Sequence, residues 1–282
     1  MEQGARLEHN GGVQPGCDVS VVVPTYNERD RLGTLVGAVF AALAASGIDG
    51  EMIVVDDNSP DGTGALADEL GGRYRLRCVH RRGKLGLGGA VMEGFRAARG
   101  QVFAVLDGDL SHPPAVVPDL VAVLRALQVD MVVGSRYVPG GSWRNWPRRR
   151  LFMSRLACSM ARPLTPVRDA MSGLFVLRRE AVENVQVAAK GFKICLELQM
   201  RSRVASVAEV PYVFVDRVGG RSKMTAGEGL NYLRQLATMY GERIRGQGKS
   251  LRYLRVAPEG LEALRESGRP PSLASTSPGS LV

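Results

Sequence analysis

Hydrophobic and polar positions along the chain alternate between two rhythms. Residues 17–23, CDVSVVV, are β-rich and stop at Pro24. Leu32, Leu35, Val36, Val39, Phe40 and Leu43 then recur at i, i+3, i+4, i+7, i+8 and i+11, which predicts an amphipathic helix. EMIVV (51–55) predicts a second strand, PDGTGALADEL (60–70) a turn leading into a helix, and RLRCVH (75–80) a short strand. GGAVMEGFRAAR (88–99) predicts a helix and QVFAVL (101–106) a strand. PPAVVPDLVAVLRAL (113–127) places prolines in a first helical turn, where a missing N–H costs nothing, and DMVVG (130–134) follows as a strand. Apolar, β-branched strands that alternate with helices argue for a mostly parallel α/β sheet.

Beyond residue 135 the rhythm breaks. Residues 139–163 hold six arginines and no acid. SGLFVLR (172–178) reads as a strand, CLELQMRSRVA (195–205) as a helix, and EVPYVFV (209–215) as an edge strand because it carries a proline. GLNYLRQLATMY (229–240) is a last helix. Residues 1–17 read as a disordered tail, 18–243 as one domain, and 244–282 as a basic, then Ser/Pro-rich, disordered tail. No internal repeat is visible.

Composition narrows this picture. With 282 residues, 45% apolar and 23% charged, the chain can bury one large core. Its four cysteines show no CxxC and its three histidines are dispersed, which argues against disulfides and a zinc site and fits a reducing cytoplasm. The longest helical apolar stretch, LVGAVFAALAASGI (35–48), is shorter than the roughly 18 residues of a membrane span. A net charge of +9 favours a negative partner: phosphates, an anionic membrane surface or nucleic acid.

In parallel α/β sheets ligands bind beyond the carboxyl ends of the strands. Those positions carry Pro24, Thr25, Tyr26, Asn27 and Glu28; Asp56, Asp57, Asn58 and Ser59; Asp107, Gly108 and Asp109; and Ser135, Arg136 and Tyr137. DDNSPDGT alone also reads as a turn and helix cap; four such clusters together read as one site. Asp107 and Asp109 alternate along an extended strand end, so both carboxylates can face one ion. Hard oxygen donors suit Mg²⁺ or Mn²⁺, which bind one or two carboxylates plus substrate phosphates. Gly108 admits close approach to the backbone. No glycine-rich fingerprint follows the first strand and no GxxxxGK[ST] occurs, which argues against dinucleotide and P-loop binding. Acidic clusters at the binding edge would repel nucleic-acid phosphates, so a nucleic-acid or lipid binder without catalysis is the remote alternative.

VVVPTYNE, IVVDDNSPDGT, GKLGLGGA, LDGDLSHPP, GSRY, DAMSGLFVLRR and FVDRVGGRSKM occur in the order and spacing of the family-2 glycosyltransferases. Over about residues 18–240 the chain resembles the dolichol-phosphate (polyprenol-phosphate) mannosyltransferase branch. The resemblance implies a GT-A fold with C-terminal amphipathic helices and inverting transfer of mannose from GDP-mannose to a polyprenyl phosphate. UDP-glucose or another nucleotide sugar, and a different acceptor, remain alternatives. It places the nucleotide against Pro24, Tyr26, Glu28, Val55 and Asp57, and the cation with the donor diphosphate on Asp107 and Asp109. Gly108 stands where the family has alanine, and Ser111 where some members have a glutamine metal ligand. Arg136, Arg217 and Lys223 fall on positions that contact phosphate or sugar, and FVDRVGGRSKM reads as a loop able to close over substrates. A phosphate monoester is already anionic and needs little or no base, so His112 is expected to be structural, or to support the residues around the ion, and not to be catalytic.

Trp143, Trp146, Leu151, Phe152, Leu156 and Met160 interleave with arginines in the basic segment. That mixture reads as an interfacial helix, or else as a packed helix with a solvated basic face. The chain is expected to be peripheral at the cytoplasmic face of the membrane, with a membrane protein as a further partner.

Overall fold

The computed structural model describes residues 16–84, 86–183, 185, 193–216 and 226–267. The first half alternates as the pattern requires: β1 (Val19–Thr25), α1 (Arg29–Ala45), β2 (Gly50–Asp56), α2 (Thr63–Gly71), β3 (Leu76–His80), α3 (Leu87–Ala97), β4 (Val102–Val105), α4 (Val116–Ala126) and β5 (Met131–Ser135). The second half adds β6 (Ser142–Arg144), α5 (Arg148–Ala161), β7 (Phe175–Arg178), α6 (Ile194–Arg201), β8 (Ser206–Pro211) and β9 (Val213–Val215). It ends with α7 (Ala226–Glu242), β10 (Arg252–Arg255) and α8 (Pro258–Ser267).

Eight strands form one sheet in the order β10-β8-β5-β7-β4-β1-β2-β3, and β6 pairs with β9 in a second, two-stranded sheet. All pairings in the large sheet are parallel except those of β7, which runs against both β4 and β5. Alternate strand residues go to opposite faces. Val19, Val21, Val23, Met52 and Val54 therefore meet α1, α4 and α8 on one side, through Leu35, Leu120 and Leu261 among others. Val22, Ile53, Val55, Phe103 and Val105 meet α3 and α6 on the other, through Val91, Phe95 and Leu198. A third cluster joins α5 to α7, where Tyr232 and Tyr240 donate hydroxyl hydrogen bonds to the carbonyls of Ala157 and Met160.

Two expectations fail here. The segment EVPYVFV is not one edge strand: it breaks at Tyr212 into the end of β8 and β9, and β10 covers β8 in parallel only as far as Glu209. Pro211 is tolerated because it is the last residue of β8, and the next amide, Tyr212 N–H, makes the bond to the Ser135 carbonyl instead. The chain from 244 onward is likewise not all tail. Val256, Leu261 and Leu264 are buried, and this apolar set is enough to dock β10 and α8 on the sheet. Residues 1–15 and 268–282 lie outside the described residues.

The close seat of α3 on the sheet depends on Gly94, where an added Cβ would lie 2.3 Å from a methyl of Val22 and 3.2 Å from one of Val55. Gly94→Ala is expected to destabilise the protein by about 2 kcal/mol through overpacking, read as a lower denaturant midpoint at unchanged slope.

Candidate functional site

Because β1, β2, β4 and β5 are mutually parallel, their carboxyl ends share one edge. The loops after β1 and β2 are stitched together there. Asn27 N–H donates to Ser59 Oγ (3.0 Å), Glu28 N–H to Thr63 Oγ1 (3.0 Å) and Arg29 N–H to Asp61 Oδ2 (3.2 Å). Side chains of the second loop thus satisfy amides at the start of α1 that no helical carbonyl can reach. Asn27 and Asn58 both adopt φ of 58°, a left-handed conformation that asparagine accepts with little strain.

The sequence-derived residues do not all share one setting. Pro24, Glu28 and Gly108 meet: a Cβ on Gly108 would come within 3.1 Å of Thr25 and 3.5 Å of both the Glu28 side chain and the Pro24 carbonyl. The missing side chain at 108 lets the β1 loop pass close by. Tyr26 is half-buried, with the Lys84 ammonium 4.7 Å from its ring centre. Asp57 is buried and ion-paired with Arg81, whose Nε also lies 3.2 Å from Glu93. Burial pushes the Asp57 carboxyl up, more than Arg81 pulls it down.

Val55 and Arg136 are corrected by their surroundings. Val55 is wholly buried beneath α3 and underlies the site without lining it. Arg136 is 6% exposed; its Nε and Nη2 donate to Asp169 at 2.7 and 2.6 Å, and its backbone N–H donates to the same carboxylate at 3.0 Å. The guanidinium also lies 5.0 Å from the Trp146 ring and 5.5 Å from that of Phe214. It is committed to the protein. Burial works against its charge, but Asp169 more than offsets this and raises its pKa further. Arg217 and Lys223 lie outside the described residues. The chain enters that segment from Asp216, which Arg150 of α5 holds at 2.5 Å.

The acidic pair is built with care. His112 Nε2 lies 3.0 Å from Asp107 Oδ2, and His112 Nδ1 lies 3.0 Å from the Tyr212 hydroxyl. His112 is 1% exposed and packs edge-on against Phe214, so it positions Asp107 as the structural reading expects. Burial works to raise the Asp107 pKa; the His112 hydrogen bond and the charges of His112, Lys193 and Arg136 outweigh it and hold the carboxyl below its usual range. Its side chain remains 44% exposed, which leaves room for a ligand. Gly173, just before β7, lets the chain pass against this carboxylate: a Cβ there would be 2.8 Å from Asp107 Oδ2. Leu110 takes φ of 62°, unusual for leucine, and turns the chain so that Ser111 N–H reaches Asp109 Oδ1 at 3.1 Å. Ser111 itself is 2% exposed and its carbonyl accepts from Val215 N–H. Two carboxylates held this way, one biased toward ionisation, offer the hard oxygen donors that suit Mg²⁺ or Mn²⁺.

Sequence reasoning assigned no part to Asp169, Glu209, Tyr212 or Lys193. Asp169 and Glu209 stand in quoted motifs, but only pairing across the sheet reveals their task. Glu209 accepts from the backbone N–H groups of Arg168 (2.8 Å) and Asp169 (3.0 Å) and from the Tyr253 hydroxyl (2.6 Å). Lys193, partly buried and near Arg136, has its ammonium pKa pushed down by burial and that cation, against the pull of Asp107. Asp68, Cys78 and His80 do come together, with ligand atoms within 4.8 Å, although Asp68 Oδ2 already lies 2.9 Å from His80 Nε2.

Comparison with known proteins decides the family. The profile described as "Glycosyl transferase family 2" matches residues 20–186. The chain belongs to glycosyltransferase family 2. The dolichol-phosphate mannosyltransferase of Pyrococcus furiosus is 41% identical over 222 residues, 77% of this chain and 62% of that protein's length. The polyprenol monophosphomannose synthase of Mycolicibacterium smegmatis is 42% identical over 236 residues, 79% of this chain and 87% of the other. These likenesses put the chain in the dolichol-phosphate mannosyltransferase branch and make it a glycosyltransferase. Among solved structures, glucosyl-3-phosphoglycerate synthase from Mycobacterium tuberculosis in complex with Mn²⁺, UDP-glucose and phosphoglyceric acid superposes with a TM-score of 0.58. It is 23% identical, covering 81% of this chain and 80% of that one, and the likeness shows the GT-A fold.

Asp169→Asn strips the countercharge from a buried arginine. It is expected to cost about 3–5 kcal/mol of stability, read from chemical denaturation.

Proposed function

We propose that this protein transfers mannose from GDP-mannose to a polyprenyl phosphate, with inversion at the anomeric carbon and with a divalent cation, at the cytoplasmic face of a membrane. The observation that supports this most is the oriented acidic pair Asp107 and Asp109 at the end of β4, in a chain whose relatives are named for this transfer.

Asp107 and Asp109 hold the cation, Mg²⁺ or Mn²⁺, and with it the donor diphosphate. Bound there, the ion supplies Lewis-acid stabilisation of the charge that grows on the departing GDP. The sheet edge at the β1 and β2 loops, with Pro24, Tyr26, Glu28 and Asp57, takes the nucleotide. Arg217 and Lys223 supply cations to the phosphates, arginine being suited to a bidentate grip. An oxygen of the acceptor phosphate attacks the anomeric carbon from the face opposite the leaving diphosphate; the new C–O bond forms as the bond to GDP breaks. The acceptor oxygen is already unprotonated, so no protein base is required, and His112 serves by fixing Asp107.

A membrane location rests on α5 and α7. Phe152, Met153 and Leu156 of α5 are 65%, 40% and 44% exposed, and Leu230 and Leu233 of the neighbouring α7 are about half exposed. Arg148, Arg149 and Arg155 flank the α5 set. Such a surface suits the interfacial layer of an anionic bilayer. Among the described residues no helix is long and apolar enough to cross a membrane.

Purified protein given labelled GDP-mannose, UDP-glucose or UDP-GlcNAc with polyprenyl phosphate and Mg²⁺ is expected to move label into the organic phase from GDP-mannose alone. Transfer from another donor, or none, rejects the reading. Asp109→Ala is expected to abolish Mn²⁺-dependent GDP binding, measured calorimetrically, while GDP binding without metal changes little. For Arg217→Ala, turnover should fall by a larger factor than nucleotide affinity; equal losses would assign it to the donor instead.

A further inference from the structure

A second basic feature lies on α5, around the helix from its exposed apolar residues. An open cleft of about 590 Å³ is bounded by α5, the segment after β5 and the turn before β7. Arg155 and Ser159 line it from one face of α5, Arg162 from the helical residue that caps it, Arg168 from the turn, and Tyr137 and Trp143 from the segment after β5. The cap keeps helical backbone angles, so the spacing i, i+4, i+7 puts Arg155, Ser159 and Arg162 on one stripe. The Arg155 guanidinium lies 5.2 Å from the Trp143 ring centre. No carboxylate lines this cleft, and among the described residues none of these three arginines pairs with one. Arg136 also reaches the cleft, but its charge is spent on Asp169.

Three uncompensated guanidiniums around one opening are a site for an anion, and arginine forks match phosphate oxygens. The position says which anion. On a helix of 3.6 residues per turn Phe152 lies about 60° around from Arg155, so the exposed apolar residues border the cationic stripe directly. A molecule lying here has acyl chains beside Phe152 and Leu156 and a phosphate among the arginines. We infer that this cleft holds the phosphodiester head group of an anionic membrane phospholipid, as an anchoring site separate from the Asp107–Asp109 edge. The inference deepens the membrane reading given above and rests on it. Tyr137 and Trp143 supply the aromatic wall that an interfacial head group meets on leaving the acyl region.

The chain has two tryptophans, so Trp146→Phe leaves Trp143 as a reporter inside the cleft. Water-soluble dihexanoyl phosphatidylglycerol, below its micelle concentration, is expected to change Trp143 emission saturably, and dihexanoyl phosphatidylcholine is not. Arg155→Gln, Arg162→Gln and Arg168→Gln together should remove the response. In otherwise unchanged full-length protein the same triple variant should weaken binding to phosphatidylglycerol-containing vesicles by about a hundredfold relative to wild type. Should Trp146→Phe fail to fold, this vesicle comparison carries the test. Absence of a saturable response, an equal response to inorganic phosphate, or vesicle binding retained by the triple variant would overturn the inference. So would a raised KM for polyprenyl phosphate with vesicle binding unchanged, which would make the cleft an acceptor site. Neither binding assay contains donor or acceptor, so failure of mannosyl transfer leaves them readable. Loss of transfer from GDP-mannose in the wild type would strike the proposed function alone.

Discussion

The Arg136–Asp169 pair is the constraint on which the second half of the molecule depends. Arg136 leaves the sheet at the end of β5, and Asp169 belongs to the turn that leads into β7, so their bidentate bond joins two chain segments that run in opposite directions. A charge pair this deep is stable only if both partners are fully bonded. Asp169 accepts three hydrogen bonds from Arg136 alone, and its own backbone N–H is taken by Glu209 of β8. The turn fixed in this way brings Gly173 against Asp107. The geometry of a carboxylate just past β4 is thus set partly by an ion pair one strand beyond its neighbour.

Electrostatics at the sheet edge follow the same logic of shared partners. Asp107 has His112 behind it and Tyr212 behind His112, both buried. Lys193 and Arg136 add positive potential without contacting it, and together these groups keep the carboxyl charged in a place where burial would favour its neutral form. Asp57 shows the opposite balance, because burial there outweighs a single arginine. Two acids at one edge therefore differ in their readiness to ionise.

Much of this was legible in the chain. The strand–helix alternation through β5 has clear periods, and the four polar strand ends pointed to the edge where the structure gathers them. The antiparallel course of β7 was not legible, since LFVLR reads the same in either direction. Pro211 ends β8 beyond the reach of β10, and the break into β9 that follows it leaves no mark in the apolar run VPYVFV. Val55 was named from resemblance and Arg136 from its strand end and from resemblance, and neither source carries burial. Asp169, Glu209 and Tyr253 escaped because their partners lie 33 to 44 residues away in sequence.

Tyr253 gives the end of the fold an unexpected weight. Its hydroxyl reaches across from β10 to the carboxylate that holds the β7 turn, while Pro258, at the start of α8, sits against Gly140. The last strand thus acts as a keystone: a protein cut back after α7 would bare the flank of β8 and strand a buried acid without its phenol. Any added anchor or fusion partner is best attached past Ser267, since a graft at residue 243 would loosen the very wall that carries the charge pair.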